Sequence, residues 1–485
     1  MNTYIVLVAI TAYFSLLLLI SYLTSRRVGS ETYFTGDRQS PWLLVAFGMI
    51  GSAMSGVTFV SLPGMVANND LYFFQFVLGN VVGYLFITFV LLPIYYRLRL
   101  VSIYGFLKNR FGNGSYRMGS LIFLVSQSFG AALRLLLAAK ILHFAFFGQH
   151  GIPFFITVAI ILIFVWLYTN KSGIKTIVWT DTMQTFFLIL GAMVTIYGIK
   201  NALDFSFLEM VEAVSHHKYF DVFNWEGKSG NNFYKQFVAG VLIAIAMIGL
   251  DQNMMQKTLT CKSLRDAQKN TLIYSIVLAL TQFLFLGLGV LLYIYAADIQ
   301  LLLEVDQSGI YLNTDNLFPN LALNHLGVLV GISFLLGIIA ASFSSVDSAL
   351  TALTTSFCYD FLDISHKSAK KMRRIKNTSL VGFSILIFMI IMAFSHSQGD
   401  VISHIFRVAG YTYGPLLGMF LFGMFTRYDI KDKYVPILCI TAPILTYGLS
   451  VYMKTAFNFD FGFMNIAVNG LFTVLGLFLI KVNRD

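Results

Sequence analysis

Charge is what this sequence has least of. Only 12% of its 485 residues are Asp, Glu, Lys or Arg, against about 25% in an ordinary globular chain. Hydrophobic residues make up 57%, and mean hydropathy is +0.74. That balance excludes a water-soluble fold and points to a polytopic all-α membrane protein, one transmembrane unit over 1–485 with no separate soluble domain. Cysteine is rare too. Cys261, Cys358 and Cys439 are an odd number with no disulfide framework or metal spacing, and read as free thiols. Catalytic motifs are missing from the two long loops, about 200–235 and 298–325. His216-His217 is a bare pair, read as solvated loop rather than metal site. The tail Lys481 to Asp485 is expected to leave no kinase, nucleotide-binding or DNA-binding module. The net charge of +10 could suggest nucleic acid, but its distribution argues for membrane topology instead.

What the sequence has in abundance is apolar runs. Thirteen are long enough to span a bilayer, from 4–23 to 463–480. The first is too long for a signal-peptide core and ends in Ser25-Arg26-Arg27 without a small-residue cleavage site, so it is expected to stay as a helix. With the N-terminus outside, 25 of the 33 Lys and Arg fall in inside loops and 5 in outside segments. The bias predicts an N-out, C-in orientation.

One run differs from the rest. Gly331 to Asp360 carries Ser342, Ser344, Ser345, Ser348, Thr351, Thr354, Thr355 and, mid-run, Asp347. At about 100° per residue, Ser344, Asp347, Ser348, Thr351 and Thr355 fall within an arc of about 100°, opposite Val346, Leu350 and Leu353. An ionised carboxylate near the bilayer centre costs about 2.5–3.5 kcal/mol even on the gentlest scale. A bound cation would offset that, and hydroxyls with few charges suit a monovalent one. The alternative is that these hydroxyls bond back to their own helix or pack as small residues.

Leu43 to Val66 is interrupted by Gly48, Gly51, Gly56, Pro63 and Gly64. Such breaks free backbone carbonyls, which at membrane depth must face protein or a cavity; a Gly-rich packing face is the other reading. Asp181, near the start of the sixth run, is either interfacial or a second buried acid. Arg134 is mid-run with no acid within a helical turn in sequence. An anionic substrate could pair with it, as could Asp181, Asp347 or helix carbonyls.

These residues resemble the sodium:solute symporter family. The resemblance is carried by SIYGFLKNRFG (102–112), GIKTIVWTDTMQ (173–184), DQNMMQKTLTCKSLRDAQK (251–269), AASFSSVDSALTALTTSF (340–357) and FRVAGYTYGPLLGMFLFGMF (406–425), and it covers nearly the whole chain. It implies a five-plus-five inverted repeat of the leucine-transporter type, with an extra first helix and loop in 1–41, repeats in 42–199 and 236–424, and two peripheral helices in 435–485. The second and seventh spans would be the discontinuous ones.

The resemblance also implies ligands. A first sodium site would use carbonyls of Gly51, Met54 and Ala341 and the hydroxyls of Ser344 and Ser345. A second cation site, found in part of the family, would use Asp181, Ser344, Ser345, Asp347 and Ser348. Asp347 stands there in place of a hydroxyl, so this site could take sodium or a proton. Candidate substrate liners are Ser55, Thr58, Phe73, Gln75, Gln252 and Tyr411, with Arg134 added from the reading of its own run. The arginine with which some members bind sialic acid falls at Phe129, so no substrate is named.

The expectation is a sodium-coupled symporter importing a small organic solute by alternating access, with Na+ as coupling ion. It would be a monomer among lipids in a bacterial-type inner membrane, with no nucleic acid partner and no enzyme activity. Proton coupling through Asp347, or a membrane sensor that binds solute without moving it, are the alternatives.

Overall fold

The computed structural model describes residues 3–25, 32–227, 229–395 and 401–482. Arg26, Arg27 and Arg484 from the charge count, and the side chain of Arg407, lie outside the described residues. Each apolar run becomes a helix, because backbone groups at membrane depth can be satisfied only within their own segment. In chain order these are α1 (Thr3–Ser25), α2 (Trp42–Ala53), α3 (Gly56–Gly64), α4 (Phe73–Arg97), α5 (Asn113–Leu142), α6 (Phe154–Asn170), α7 (Gly173–Ala202), α8 (Phe233–Gly249) and α9 (Gln252–Thr258). They continue as α10 (Leu264–Asp298), α11 (Gly327–Ser356), α12 (Ala369–Phe394), α13 (Val401–Phe425), α14 (Val435–Phe457) and α15 (Asn465–Leu479).

Among the described residues nine helices are long and apolar enough to cross a membrane, eleven if each bent pair is one span. Two further apolar helices, Val8–Thr24 and Phe154–Asn170, are shorter. The expected thirteen spans are reached only by including both.

Two spans are broken, and they are the second and seventh. α2 and α3 meet at a 59° bend, where Met54 (φ −87°, ψ 81°) and Ser55 (φ −72°, ψ 172°) leave helical geometry. α8 and α9 meet at 69°. There Asp251 restarts the helix: its Oδ1 accepts from the N–H of Asn253 at 2.9 Å and of Met254 at 3.2 Å, replacing partners lost at the break.

Small residues let the two broken spans and their neighbours close up. α4 and α8 cross at Gly79 and Gly240, where an added Cβ would lie 2.0 Å from the Phe237 carbonyl oxygen and 2.2 Å from that of Phe76. Only glycine permits that backbone approach. Gly173 opens α7 at φ 65°, against Tyr33.

The core is built around α11. Every residue from Gly337 to Ser356 is buried, with α7, α5, α3 and α2 packed against it. α12 and α14 pack on the core by one face and expose Ile385, Met389, Ile437 and Ile444 on the other. A helix apolar all round is at the centre of a bundle, and its hydroxyl stripe must then find partners within the protein.

Candidate functional site

The stripe finds them on α2 and α7. Ser344 Oγ donates to Asp181 Oδ1 at 2.7 Å and lies 3.1 Å from Ser52 Oγ. Ser345 Oγ lies 3.3 Å from the Ser52 carbonyl oxygen and 3.1 Å from that of Ala341. Ser345 therefore bridges the last turn of α2, just before the break at Met54, to its own helix. Gly51 lies in that same last turn, packed so closely on α7 that a Cβ would meet Thr185 Oγ1 at 2.5 Å. Of the five residues expected around a first sodium, Ser344 and Ser345 touch Ser52 in the last turn of α2, Ser345 also reaches the Ala341 carbonyl, and Gly51 and Met54 flank Ser52 in sequence. The donors on offer here are hydroxyl and carbonyl oxygens with the Asp181 carboxylate beside them, hard ligands that suit a monovalent cation.

The second set is gathered too. Asp181 is fully buried in α7, not interfacial, and so is Asp347. Ser348 Oγ donates to Asp181 Oδ2 at 3.3 Å and to Asp347 Oδ1 at 3.1 Å. What the sequence reading missed is Lys257. The charge count had placed it in an inside loop. It is the last residue but one of α9, completely buried. Its Nζ donates to Asp181 Oδ2 at 2.7 Å and also to Ser52 Oγ. No local signal marks the residue, because the helix beyond the break is short and polar and looks like loop. The pairing needs α9 folded back by 69° onto α2 and α7. Removing either partner of such a buried pair leaves an uncompensated charge, at about 3–5 kcal/mol.

Beside the α2–α3 break is a cavity of about 110 Å³, smaller than the usual small-molecule site, so a solute needs its walls to part. Four of the seven expected liners face it: Ser55, Thr58, Phe73 and Arg134. Three do not, and the reason is rotation. Gln75 is two residues from Phe73, about 200° round α4. It ties the outer loop instead, donating to the carbonyls of Tyr72 and Asn231 at 3.0 and 3.1 Å and accepting from Asn224 N–H at 3.0 Å. Gln252 holds the inner loop, accepting from Ile103 N–H at 2.9 Å and donating to the Val101 carbonyl at 2.8 Å. Tyr411 lies in a separate outer recess with Tyr447. Tyr413, two residues on, turns inward, and its hydroxyl donates to Asp251 Oδ2 at 2.5 Å.

The cavity's polar wall comes from four helices. Asn80 of α4, Gln127 of α5, Asn253 of α9 and Gln282 of α10 line it. Each leaves one buried side-chain atom with no hydrogen-bond partner: Asn80 Oδ1, Gln127 Nε2, Asn253 Oδ1 and Gln282 Oε1. Groups like these want a polar guest. Among the described residues Arg134 has no carboxylate within ion-pair distance; the opposite charge that it faces is Asp251, whose two oxygens already accept from the α9 cap and Tyr413. Neither Asp181 nor Asp347 is its partner. Phe129 is not a cavity residue and packs edge-on against Phe394, ring centroids 6.2 Å apart. His216 and His217 make local bonds in the outer loop, to the Glu212 carbonyl and the Tyr219 N–H.

Comparisons with known proteins agree on one group. The model of the sodium:solute symporter family matches residues 33–428. The sodium/iodide cotransporter of Homo sapiens is 26% identical over 85% of this chain, and the match spans 65% of that protein's length. The sodium/sialic acid symporter SiaT of Proteus mirabilis (strain HI4320) is 22% identical over 95% of this chain and 93% of its own. Among solved structures, the substrate-bound outward-open state of a Na+-coupled sialic acid symporter superposes with a TM-score of 0.82 at 18% identity, covering 99% of both chains. At that identity the likeness concerns the fold.

Proposed function

Because this chain belongs to the sodium:solute symporter family, we propose that it imports a small polar solute bearing a carboxylate or similar anion, held by Arg134. As a family member it is a sodium-coupled symporter, not an enzyme. The observation that carries the substrate class is the wall of the cavity beside the α2–α3 break. It offers one guanidinium without an ion pair and four amide groups with a polar atom each unused. An anion with several hydroxyl or N–H donors satisfies both, and charge-assisted bidentate pairing is what a guanidinium does best. Sugar acids are such molecules, and relatives that carry sialic acid fit this class.

Sodium would bind between carbonyls of Gly51, Met54 and Ala341 and the hydroxyls of Ser344 and Ser345. The support is the Ser345 bridge from Ala341 to the last turn of α2. A cation there ties α2 to α11 next to the cavity lined by Ser55 and Thr58, so ion and solute order the same break. Each then raises the other's affinity. Asp181 with Ser344, Ser345, Asp347 and Ser348 would be a second cation position. Alternating access follows if the two bundles rock about these sites and if ion and solute bind the outward state better than the inward one.

The charge bias supports an N-out, C-in orientation in an inner membrane, and a monomer is sufficient because both positions lie within one chain. On the inner side, Lys370, Lys371 and Arg374 overhang an apolar groove with Phe383 and Leu386, a fit for acidic lipid headgroups. Counterflow of labelled sugar acids in proteoliposomes, with and without a sodium gradient, tests the function. Uptake that ignores sodium, or that follows neutral solutes alone, would refute it.

A further inference from the structure

From the place of its ammonium group, we infer that Lys257 stands in for a second sodium, so that this protein carries a single sodium per solute, with Asp347 as the counter-charge for that ion. The inference rests on the reading of Ser344 and Ser345 as the sodium site.

The geometry comes first. Of the second-cation set Asp181, Ser344, Ser345, Asp347 and Ser348, the hydroxyls of Ser344 and Ser348 are bonded to Asp181, with Ser52 beside them. Their common focus is Asp181, and the Lys257 ammonium is bonded there, to Asp181 Oδ2 at 2.7 Å and to Ser52. An ammonium and a sodium ion make the same demand on such a site, namely several oxygen acceptors and a negative charge. Lys257 and Asp181 are both fully buried, away from bulk water.

Charge balance comes second. The cluster holds two carboxylates, Asp181 and Asp347, and one ammonium. Tyr168 and Gln184 beside it are neutral, and the first sodium position is made of neutral oxygens. With both carboxylates ionised, the cluster alone is one charge negative. One sodium bound at Ser344 and Ser345 makes it neutral; two make it positive. Uncompensated charge at membrane depth is strongly disfavoured, so the loaded state holds one sodium. Asp347 is the acid left to balance it, since Asp181 is paired with Lys257. Ser348 joins the two acids through one hydroxyl.

The test is the sodium-to-solute flux ratio in proteoliposomes, read with radiolabelled sodium and solute. Wild-type protein should carry one sodium per solute, with no cooperativity in sodium. Lys257→Gln should double the ratio and make the sodium dependence steeper. Lys257→Arg should keep the wild-type ratio, and Asp347→Asn in the Lys257→Gln background should return it to one. Two sodium ions per solute in the wild type would overturn the inference whatever the variants do, including a Lys257→Gln that fails to fold. An active Lys257→Gln with an unchanged ratio would do the same. Failure of the underlying reading looks different: wild-type uptake would then be indifferent to sodium altogether.

Discussion

Asp181 and Asp347 belong to helices far apart in sequence, yet one hydroxyl serves both: Ser348 Oγ lies 3.3 Å from Asp181 Oδ2 and 3.1 Å from Asp347 Oδ1. Two carboxylates joined in this way share a single electrostatic environment. What neutralises them decides how this transporter is coupled.

Asp347→Asn removes the charge that balances the ion at Ser344 and Ser345. The sodium concentration for half-maximal uptake should rise about tenfold or more, equivalent to at least about 1.4 kcal/mol. A sodium titration of solute uptake measures it. An unchanged sodium curve together with a lost pH dependence would identify Asp347 as a proton carrier.

Ser345→Ala removes the hydroxyl that reaches both the Ser52 and Ala341 carbonyls. A lost ligand of this kind costs about 1 kcal/mol, or roughly fivefold in sodium affinity. Because coupling is reciprocal, solute affinity measured at fixed sodium should fall in parallel. Two unaltered affinities would place the ion elsewhere and leave the hydroxyl with a packing role.

Arg134→Ala should weaken an anionic solute by about 2 kcal/mol, near thirtyfold, since a charge-assisted pair is lost. A neutral analogue should lose far less. Competition of the two against one labelled solute gives the ratio directly. Equal losses would make Arg134 a structural partner of Asp251 rather than a substrate contact.

Gly240→Ala puts a Cβ 2.2 Å from the Phe76 carbonyl oxygen. Backbone cannot yield as a side-chain tip can, so α4 and α8 must separate. The cost should be about 1–3 kcal/mol, seen as a lower melting temperature in detergent. Gly448→Ala, where nothing lies within 4 Å, is the control and should change little.

The three cysteines are buried, so background labelling by a membrane-impermeant thiol reagent should be low. Applied from outside, such a reagent should modify His217→Cys and miss Lys371→Cys. The reverse pattern would invert the orientation.

The sequence alone pointed to the apolar runs, to the break between α2 and α3 and to the hydroxyl stripe. Each of these is local. Apolar length decides whether a segment can cross, the glycines of α2 and α3 weaken one helical ladder, and the helical period decides which side chains of Gly331 to Asp360 share a face. Ser344 and Asp347 could therefore be placed on one face before any fold was known, while Ser345 was reached through the family resemblance. Neither the period nor the resemblance could place Gln75, Gln252 and Tyr411. The period ranks the faces of a helix against each other but does not say which neighbour each face meets, and two residues of rotation carry Gln75 away from Phe73 and Tyr411 away from Tyr413. The polar wall of Asn80, Gln127, Asn253 and Gln282 is assembled from four helices, each contributing an unremarkable amide. Lys257 shows the limit most plainly. By composition it was one more loop cation supporting the topology. Only the bend between α8 and α9 carries its ammonium to Asp181, 76 residues away along the chain. The partner of a buried charge is chosen by which helices pack together, and that choice is made by the whole bundle.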